Sequence, residues 1–240
     1  MLEFKNVSYI YPKGYRALTN INLYIEKGEF VFLVGPVGAG KTTILKLIYR
    51  EITPTVGKIF FENQDLAMLS HHQVPYYRRR LGIVFQDFKL LNYKTVWHNV
   101  SYPLEVTLVP MKDIVKRVFK VLKLVGLVDK RDFYPDELSG GEQQQVAIAR
   151  AIVNNPSLFI ADEPTGNLDV KSTDKIMEII TEINKMGTTV IMSTHNLEIV
   201  KKFNKRTIYI QNGMIVEDTK NEIIDTLIER NSYDTNLIQP

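Results

Sequence analysis

One octet carries the most specific chemistry in the chain. Gly35-Pro36-Val37-Gly38-Ala39-Gly40-Lys41-Thr42 matches the pattern G-x-x-x-x-G-K-[ST] in full. It directly follows the β-branched and aromatic run Phe30–Val34 and directly precedes the helical pattern Thr43-Ile44-Leu45-Lys46-Leu47-Ile48. Glycines in such a loop let successive backbone N–H groups turn inward around phosphate oxygens. The helix N-terminus adds its partial positive charge. Lys41 is suited to the β- and γ-phosphates as a point charge, and Thr42 to Mg2+ through its hydroxyl. With Thr43 opening the helix, the expected ligand is a nucleotide. A chance match is the competing reading, and the strand–loop–helix context counts against it.

A second constellation is Leu158-Phe159-Ile160-Ala161-Asp162-Glu163, an apolar strand ending in two carboxylates. Beside a phosphate loop, Asp162 would hold Mg2+ by way of water or Thr42, and Glu163 would polarise an attacking water as general base. A plain strand-to-loop transition would also place Asp and Pro164 there, since both favour turns.

These side chains need elements to position them. Short β-like runs alternate with longer helical patterns, the signature of an α/β domain with a parallel sheet. Strands are expected at Leu2–Tyr9, Ile21–Ile25, Phe30–Val34, Lys58–Phe61, Leu81–Phe85, Leu158–Asp162, Thr188–Ser193, Thr207–Gln211 and Met214–Glu217. Glu26-Lys27-Gly28-Glu29 and Gln211-Asn212-Gly213 read as hairpin turns, so part of the sheet should be antiparallel. Helices are expected at 41–50, 111–124, 141–154, 172–186, 196–203 and 219–230. Ile114, Val118, Val121, Leu122 and Val125 form a stripe at helical spacing within a strand-free middle. The expected organisation is an α/β core of 1–92 and 157–218 with an antiparallel β subdomain. A helical subdomain of 93–156 is inserted into it, and a C-terminal helix and tail cover 219–240. Ile223, Ile224, Leu227 and Ile228 give that last segment one apolar face.

Composition narrows the function. The 240 residues include no cysteine, which excludes disulfides, thiolate metal sites and cysteine nucleophiles. The longest apolar run is five residues, Phe30 to Val34, against about 20 for a membrane span. The start, Met1-Leu2-Glu3-Phe4-Lys5, shows no secretory apolar region, so a cytosolic location is expected. Thirty basic against 27 acidic residues leave a net charge of +3, weak for a nucleic-acid binder. Arg78-Arg79-Arg80 and the Lys112–Lys123 stretch read as solvated faces. His71, His72 and His98 read as surface or packing residues, and Trp97 as packing.

Leu138-Ser139-Gly140-Gly141-Glu142 resembles the signature loop of ABC-type ATPases, and other marks of that family occur in order. Tyr11 stands where the family has an aromatic that stacks on adenine. Gln86 follows Leu81–Phe85 as the family's Q-loop glutamine does, Gly166-Asn167-Leu168-Asp169 resembles its D-loop, and His195 its switch histidine. The resemblance covers residues 1–218. It implies an α/β P-loop NTPase fold with a mixed sheet core, and Mg2+-dependent hydrolysis of ATP. Glu163, His195 and Gln86 would be catalytic, and Thr42, Gln86 and Asp162 would hold the metal. Tyr11, residues 35–43, Ser139, Gly140, Gly141 and Asp169 would contact nucleotide. A signature loop on a separate subdomain cannot bend onto its own phosphate loop, and in the family it caps the ATP of a second copy. A head-to-tail homodimer on ATP binding is therefore implied.

Val74 to Leu91 further resembles the cell-division ATP-binding members of the family. That implies an integral membrane partner, a place on the cytoplasmic face of the membrane, and ATP-driven movement that controls cell-wall hydrolysis instead of pumping a solute. The partner's cytosolic helix would dock near Phe85 to Leu91. Ala161 to Asp169 is shared more widely, with lipoprotein-release and macrolide-export ATPases, which is the alternative. Soluble ABC ATPases of ribosomes or DNA usually carry two cassettes or a coiled-coil insert, and neither is present here. Gln145 departs from the family, which usually has arginine there.

Overall fold

A computed structural model describes residues 1–220. The chain opens with β1 (Leu2–Ile10), β2 (Arg16–Ile25) and β3 (Phe30–Val34), which runs through a loop into α1 (Lys41–Ile48). There follow β4 (Val56–Phe61), a short β5 (Gln64–Asp65), α2 (Val74–Arg78) and β6 (Leu81–Val84). Next come α3 (Val96–Glu105), α4 (Met111–Val125) and α5 (Gly140–Ile152), and then β7 (Leu158–Asp162), α6 (Val170–Lys185) and β8 (Thr189–Thr194). The sequence α7 (Leu197–Phe203), β9 (Arg206–Gln211) and β10 (Met214–Asp218) ends the described fold. None of these helices is long and apolar enough to cross a membrane.

The strands form two sheets. An antiparallel sheet has the order β2-β1-β4-β5, and a mixed sheet has the order β10-β9-β3-β8-β7-β6, parallel except for β10. All five residues of β3 are buried, which explains its unbroken apolar run. Phe30, Phe32 and Val34 face one buried cluster, with Val100 of α3, Val118 of α4 and Val146 of α5. Val31 and Leu33 face another, with Ile44 and Leu45 of α1 and Phe4 and Leu18 of the antiparallel sheet. The two-residue period of the strand thus hands alternate side chains to two different layers.

The segment between β6 and β7 is strand-free, as the stripe implies, and Ile114, Val118, Val121, Leu122 and Val125 of α4 are buried. Its helices share the sheet's apolar cluster and do not build a core of their own. The helix α3 escapes sequence reasoning because Pro103 lies inside it, where proline removes a hydrogen bond and crowds the preceding turn. Packing overrides that cost: Val96, Val100 and Leu104 are fully buried.

The two expected hairpins differ in outcome. Asn212 and Gly213 both have positive φ (50° and 74°), and Met214 pairs with Gln211 across a two-residue loop of antiparallel strands. The turn at 26–29 joins two sheets instead of two paired strands: β2 pairs with β1, whereas β3 pairs with β8 and β9. A local turn signal does not encode which neighbours the flanking strands find. The helix expected at 219–230 does not begin at 219: Thr219 donates from its N–H to Thr207 O at 2.9 Å, and Lys220 follows as a bend; residues 221–230 lie outside the described residues.

Arg206 fastens the sheets together. Its side chain is 7% exposed. Nη1 donates to both carboxylate oxygens of Glu29 and to Tyr24 O at 2.9 Å, and Nε and Nη2 donate to Asp218 at 2.8 and 2.7 Å. Removing it leaves the half-buried Glu29 carboxylate and the more exposed Asp218 carboxylate without their cation. Arg206→Ala is expected to cost about 3 kcal/mol, read as a fall in Tm of roughly 6–12 °C for a domain of this size. A shift under about 2 °C in thermal unfolding, less than 1 kcal/mol, would refute that role.

Candidate nucleotide site

The chemistry-bearing residues gather at the carboxyl ends of β3, β6, β7 and β8, the crevice where open α/β sheets bind ligands. Register makes this happen. Val34 pairs with Thr194, Val84 with Ala161, and Asp162 with Ser193. The loops that follow these strands therefore leave the sheet side by side.

The loop from Gly35 wraps into α1. Gly40 has φ 109°, and a Cβ there would sit 2.9 Å from Ala17 O, so no larger residue fits. Lys41 is nearly buried; its Nζ donates to Gly35 O at 2.7 Å and Pro36 O at 3.0 Å, and lies 3.7 Å from the Glu163 carboxylate. A cavity of about 370 Å³ opens over the loop, lined by Gly38 to Thr43 and, at its edges, by Val37, Gln86 and Glu163. Tyr11 and Tyr15 form another wall. Their rings are stacked with centroids 6.3 Å apart, and Tyr11 Oη shares a hydrogen bond with Thr43 Oγ1 at 3.2 Å. Tyr15 was not expected in the site; its ring is brought there by the β1–β2 turn.

At the end of β7, Asp162 Oδ1 accepts from Thr42 Oγ1 at 3.3 Å and from Ser193 Oγ at 2.6 Å. Glu163 has φ 46°, a left-handed conformation that costs energy for a non-glycine residue. Three hydrogen bonds hold it there. Its N–H donates to Ser193 O at 3.2 Å and Ser193 Oγ at 2.9 Å, and its carbonyl accepts from Gly166 N–H at 3.1 Å. The Glu163 carboxylate lies between Lys41 and His195, whose Nδ1 is 3.0 Å from Oε2. Ser193 is thus a supporting residue that sequence reasoning missed, and its one signal is the register that sets it opposite Asp162.

Ser139, Gly140, Gly141 and Asp169 are not in this cavity. Ser139 caps α5: its Oγ accepts from Glu142 N–H at 3.3 Å, and its own N–H donates to Glu142 Oε2 at 3.0 Å. Lys130 Nζ donates to Glu142 Oε1 at 2.5 Å, and this partner first, with Ser139, holds the Glu142 carboxyl below its usual range. A depressed carboxylate stabilises the fold fully above its ordinary value, and that stabilisation is lost as pH falls from there through the lowered folded value. Asp169 caps α6 by accepting from Ser172 N–H at 2.9 Å and Ser172 Oγ at 2.6 Å. The two helix ends abut, since a Cβ on Gly141 would lie 2.8 Å from Ser172 Oγ.

Two further residues bear on the site. Arg150 of α5 donates to Lys89 O at 2.6 Å and Phe88 O at 2.7 Å, and both acceptors have positive φ. It ties the loop after Gln86 to the helix that begins at the signature. Gln145 donates from Nε2 to Val125 O at 2.7 Å, so α5 keeps a link to the end of α4 without an arginine. His98 Nδ1 lies 2.9 Å from Thr95 Oγ1, and Trp97 packs edge-on against Phe119, both away from the cavity.

The donors present suit Mg2+. Thr42 and Asp162 offer oxygens in contact with each other, and Gln86 lines the same cavity. Mg2+ takes one or two carboxylates and completes its shell with phosphates and water. Among the described residues no cluster of three His, Asp or Glu side chains forms, and such a site does not require one.

Comparison with known proteins bears on this geometry. The family model described as ABC transporter matches residues 18–166. The chain is 53% identical over 218 residues to the cell division ATP-binding protein FtsE of Bacillus subtilis (strain 168), covering 91% of this chain and 96% of that protein. It is 46% identical over 218 residues to FtsE of Streptococcus pneumoniae serotype 2, covering 91% and 95%. A solved dimeric ATP-binding cassette in a post-hydrolysis state, bound to ADP and Pi, is similar with a TM-score of 0.84 and 37% identity, covering 92% of this chain and 99% of that one.

Ser193 provides a test of the site. Ser193→Ala is expected to weaken Mg2+-dependent nucleotide binding by roughly 10–100-fold, the usual effect of losing an outer-shell partner of a metal-holding carboxylate. Calorimetric titration with and without Mg2+ reads it, and an unchanged Mg2+ dependence would remove Ser193 from the site.

Proposed function

The chain belongs to the ABC transporter family and is an ATPase of that family, and on that premise we propose that it powers a membrane complex of the cell-division type. In this reading its partner is an integral membrane protein resembling FtsX, which places the chain peripherally on the cytoplasmic face of the membrane. ATP-driven movement controls cell-wall hydrolysis, and no solute is pumped. The FtsE relatives support this over a lipoprotein or macrolide exporter.

The observation that carries the catalytic assignment is the clustering of Lys41, Glu163 and His195, with contacts of 3.7 and 3.0 Å to the one carboxylate. Adenine stacks on Tyr11, and the phosphates lie along residues 35–43. Lys41 exchanges the Gly35 and Pro36 carbonyls for phosphate oxygens. Thr42, Gln86 and Asp162 would hold Mg2+, which would supply charge neutralisation on those phosphates. Glu163 accepts the proton of the attacking water, Gln86 orients that water, and His195 contacts the γ-phosphate while steadying the Glu163 carboxylate. The strained backbone at Glu163 keeps its side chain from relaxing away.

Ser139, Gly140, Gly141 and Asp169, which the family resemblance assigns to nucleotide contact, lie outside this cavity. That supports delivery by a second copy, in a head-to-tail homodimer formed on ATP binding. The similar solved cassette is itself a dimer. The working division is an ATP-binding core of 1–92 and 157–218, a helical segment of 93–156 that carries the signature, and a tail of 219–240. The loop at Phe85 to Leu91 leads into a surface with exposed Tyr93, Tyr102 and Leu108, which suits a short helix of the membrane partner. Arg78 donates to Tyr49 O at 3.0 Å and Arg50 O at 3.1 Å, closing the end of α1.

Glu163→Gln is expected to keep ATP binding and to lower phosphate release by about 10²–10⁴-fold, trapping a dimer on size-exclusion chromatography. Wild-type turnover with monomer throughout would defeat the base assignment. Lys89→Glu combined with Tyr93→Asp is expected to reduce co-purification with the membrane partner about tenfold, with the melting temperature of the isolated chain unmoved. Undiminished co-purification from solubilised membranes would displace the docking surface.

A further inference from the structure

A cavity of about 670 Å³ lies at the amino ends of the strands, away from the nucleotide site. Lys27, Ser157 and Thr188, which line it, come just before β3, β7 and β8. Its floor is apolar, with Val121 and Leu124 of α4, Ile152 of α5, and Ile183 of α6. Its rim is basic, with Lys27, Lys120 and Lys123. A smaller cavity continues from it past Lys120 and adds Lys116 and Arg117, with Asp113 as its one carboxylate.

The chain itself ends its described course at this rim. Lys220 Nζ donates to Glu26 Oε1 at 2.7 Å, and Glu26 adjoins Lys27. The next ten residues carry Ile223, Ile224, Leu227 and Ile228 at a spacing that gives a helix one apolar face, with Glu222, Asp225 and Glu229 on the other. Ten residues reach about 15 Å as a helix and about 33 Å extended.

We propose that residues 221–230 of the same chain dock in this cavity. Their aliphatic side chains cover the apolar floor. Their carboxylates meet the lysine rim, whose long side chains can rise past the docked segment. Because the cavity is walled by α4 and α5 on one side and by α6 and the entry to β8 on the other, the docked segment braces the signature-bearing helices against the sheet. This docking does not depend on the catalytic reading above.

The chain has no cysteine, so an introduced pair is the only one. In full-length protein, Leu124→Cys with Leu227→Cys is expected to form an intrachain disulfide under mild oxidation, and Leu124→Cys with Glu229→Cys to form little. An interchain disulfide would seat a second copy there and overturn the proposal, as would no disulfide at all. Deleting 221–240 is expected to raise amide exchange about tenfold at 120–124 and 183–188. Unchanged exchange overturns it. If the shortened chain does not fold, Lys120→Glu with Lys123→Glu in the full chain gives the same reading.

Discussion

The parallel pairing of β8 with both β3 and β7 is the constraint on which the site depends. It sets Ser193 opposite Asp162 and Thr194 opposite Val34, so the phosphate loop and the acidic pair emerge as neighbours. A slip of one residue would turn every side chain of β8 to the other face. Two buried layers forbid that slip, since Val190 and Met192 belong to one cluster and Ile191 to the other. The placement of the acidic pair is thus enforced by packing on both faces of one strand, and Ser193 converts it into direction by bonding the Asp162 carboxylate and the Glu163 backbone.

The parts that must answer to nucleotide are fastened by directional bonds as well as by apolar packing. Arg150 reaches from α5 to two carbonyls in the loop after Gln86. It thereby ties the loop after Gln86 to the helix whose first turn is Gly140-Gly141. Burial pushes the Arg150 pKa down, yet a guanidinium starts so high that it stays charged at any physiological pH. Val96 N–H and Trp97 N–H donate to Phe133 O and Arg131 O, and Lys130 of the same loop bonds Glu142. The start of α3 and the signature cap therefore share one short loop.

The ends of α5 and α6 are satisfied from within, by Ser139 with Glu142 and by Asp169 with Ser172. The Ser172 hydrogen bonds keep the Asp169 carboxyl below its ordinary range, so it remains an anion. These caps order the signature and the D-loop before any partner arrives, and Gly141 lets the two helix ends touch. Preorganisation of this kind lowers the ordering cost of association.

Much of this was legible in residue order, because the chemistry is local. Phosphate binding needs glycines, a lysine and a hydroxyl in one octet between a strand and a helix, and residues 35–43 are contiguous. The apolar strand ending in Asp162-Glu163, the stripe of α4 and the Asn212-Gly213 hairpin are equally short-range signals. What required the fold is what depends on distant pairing. The turn at 26–29 looks like a hairpin locally, but β2 and β3 find partners in different sheets. Pro103 argues against a helix that burial of Val96, Val100 and Leu104 enforces. Ser193 and Arg150 carry no motif of their own; one acts through strand register and the other through a reach of about 60 residues. Residue order determined the kind of reaction, because reactive groups are set by type and near spacing. Tertiary structure decided which groups support them, because that depends on which strands and helices lie together.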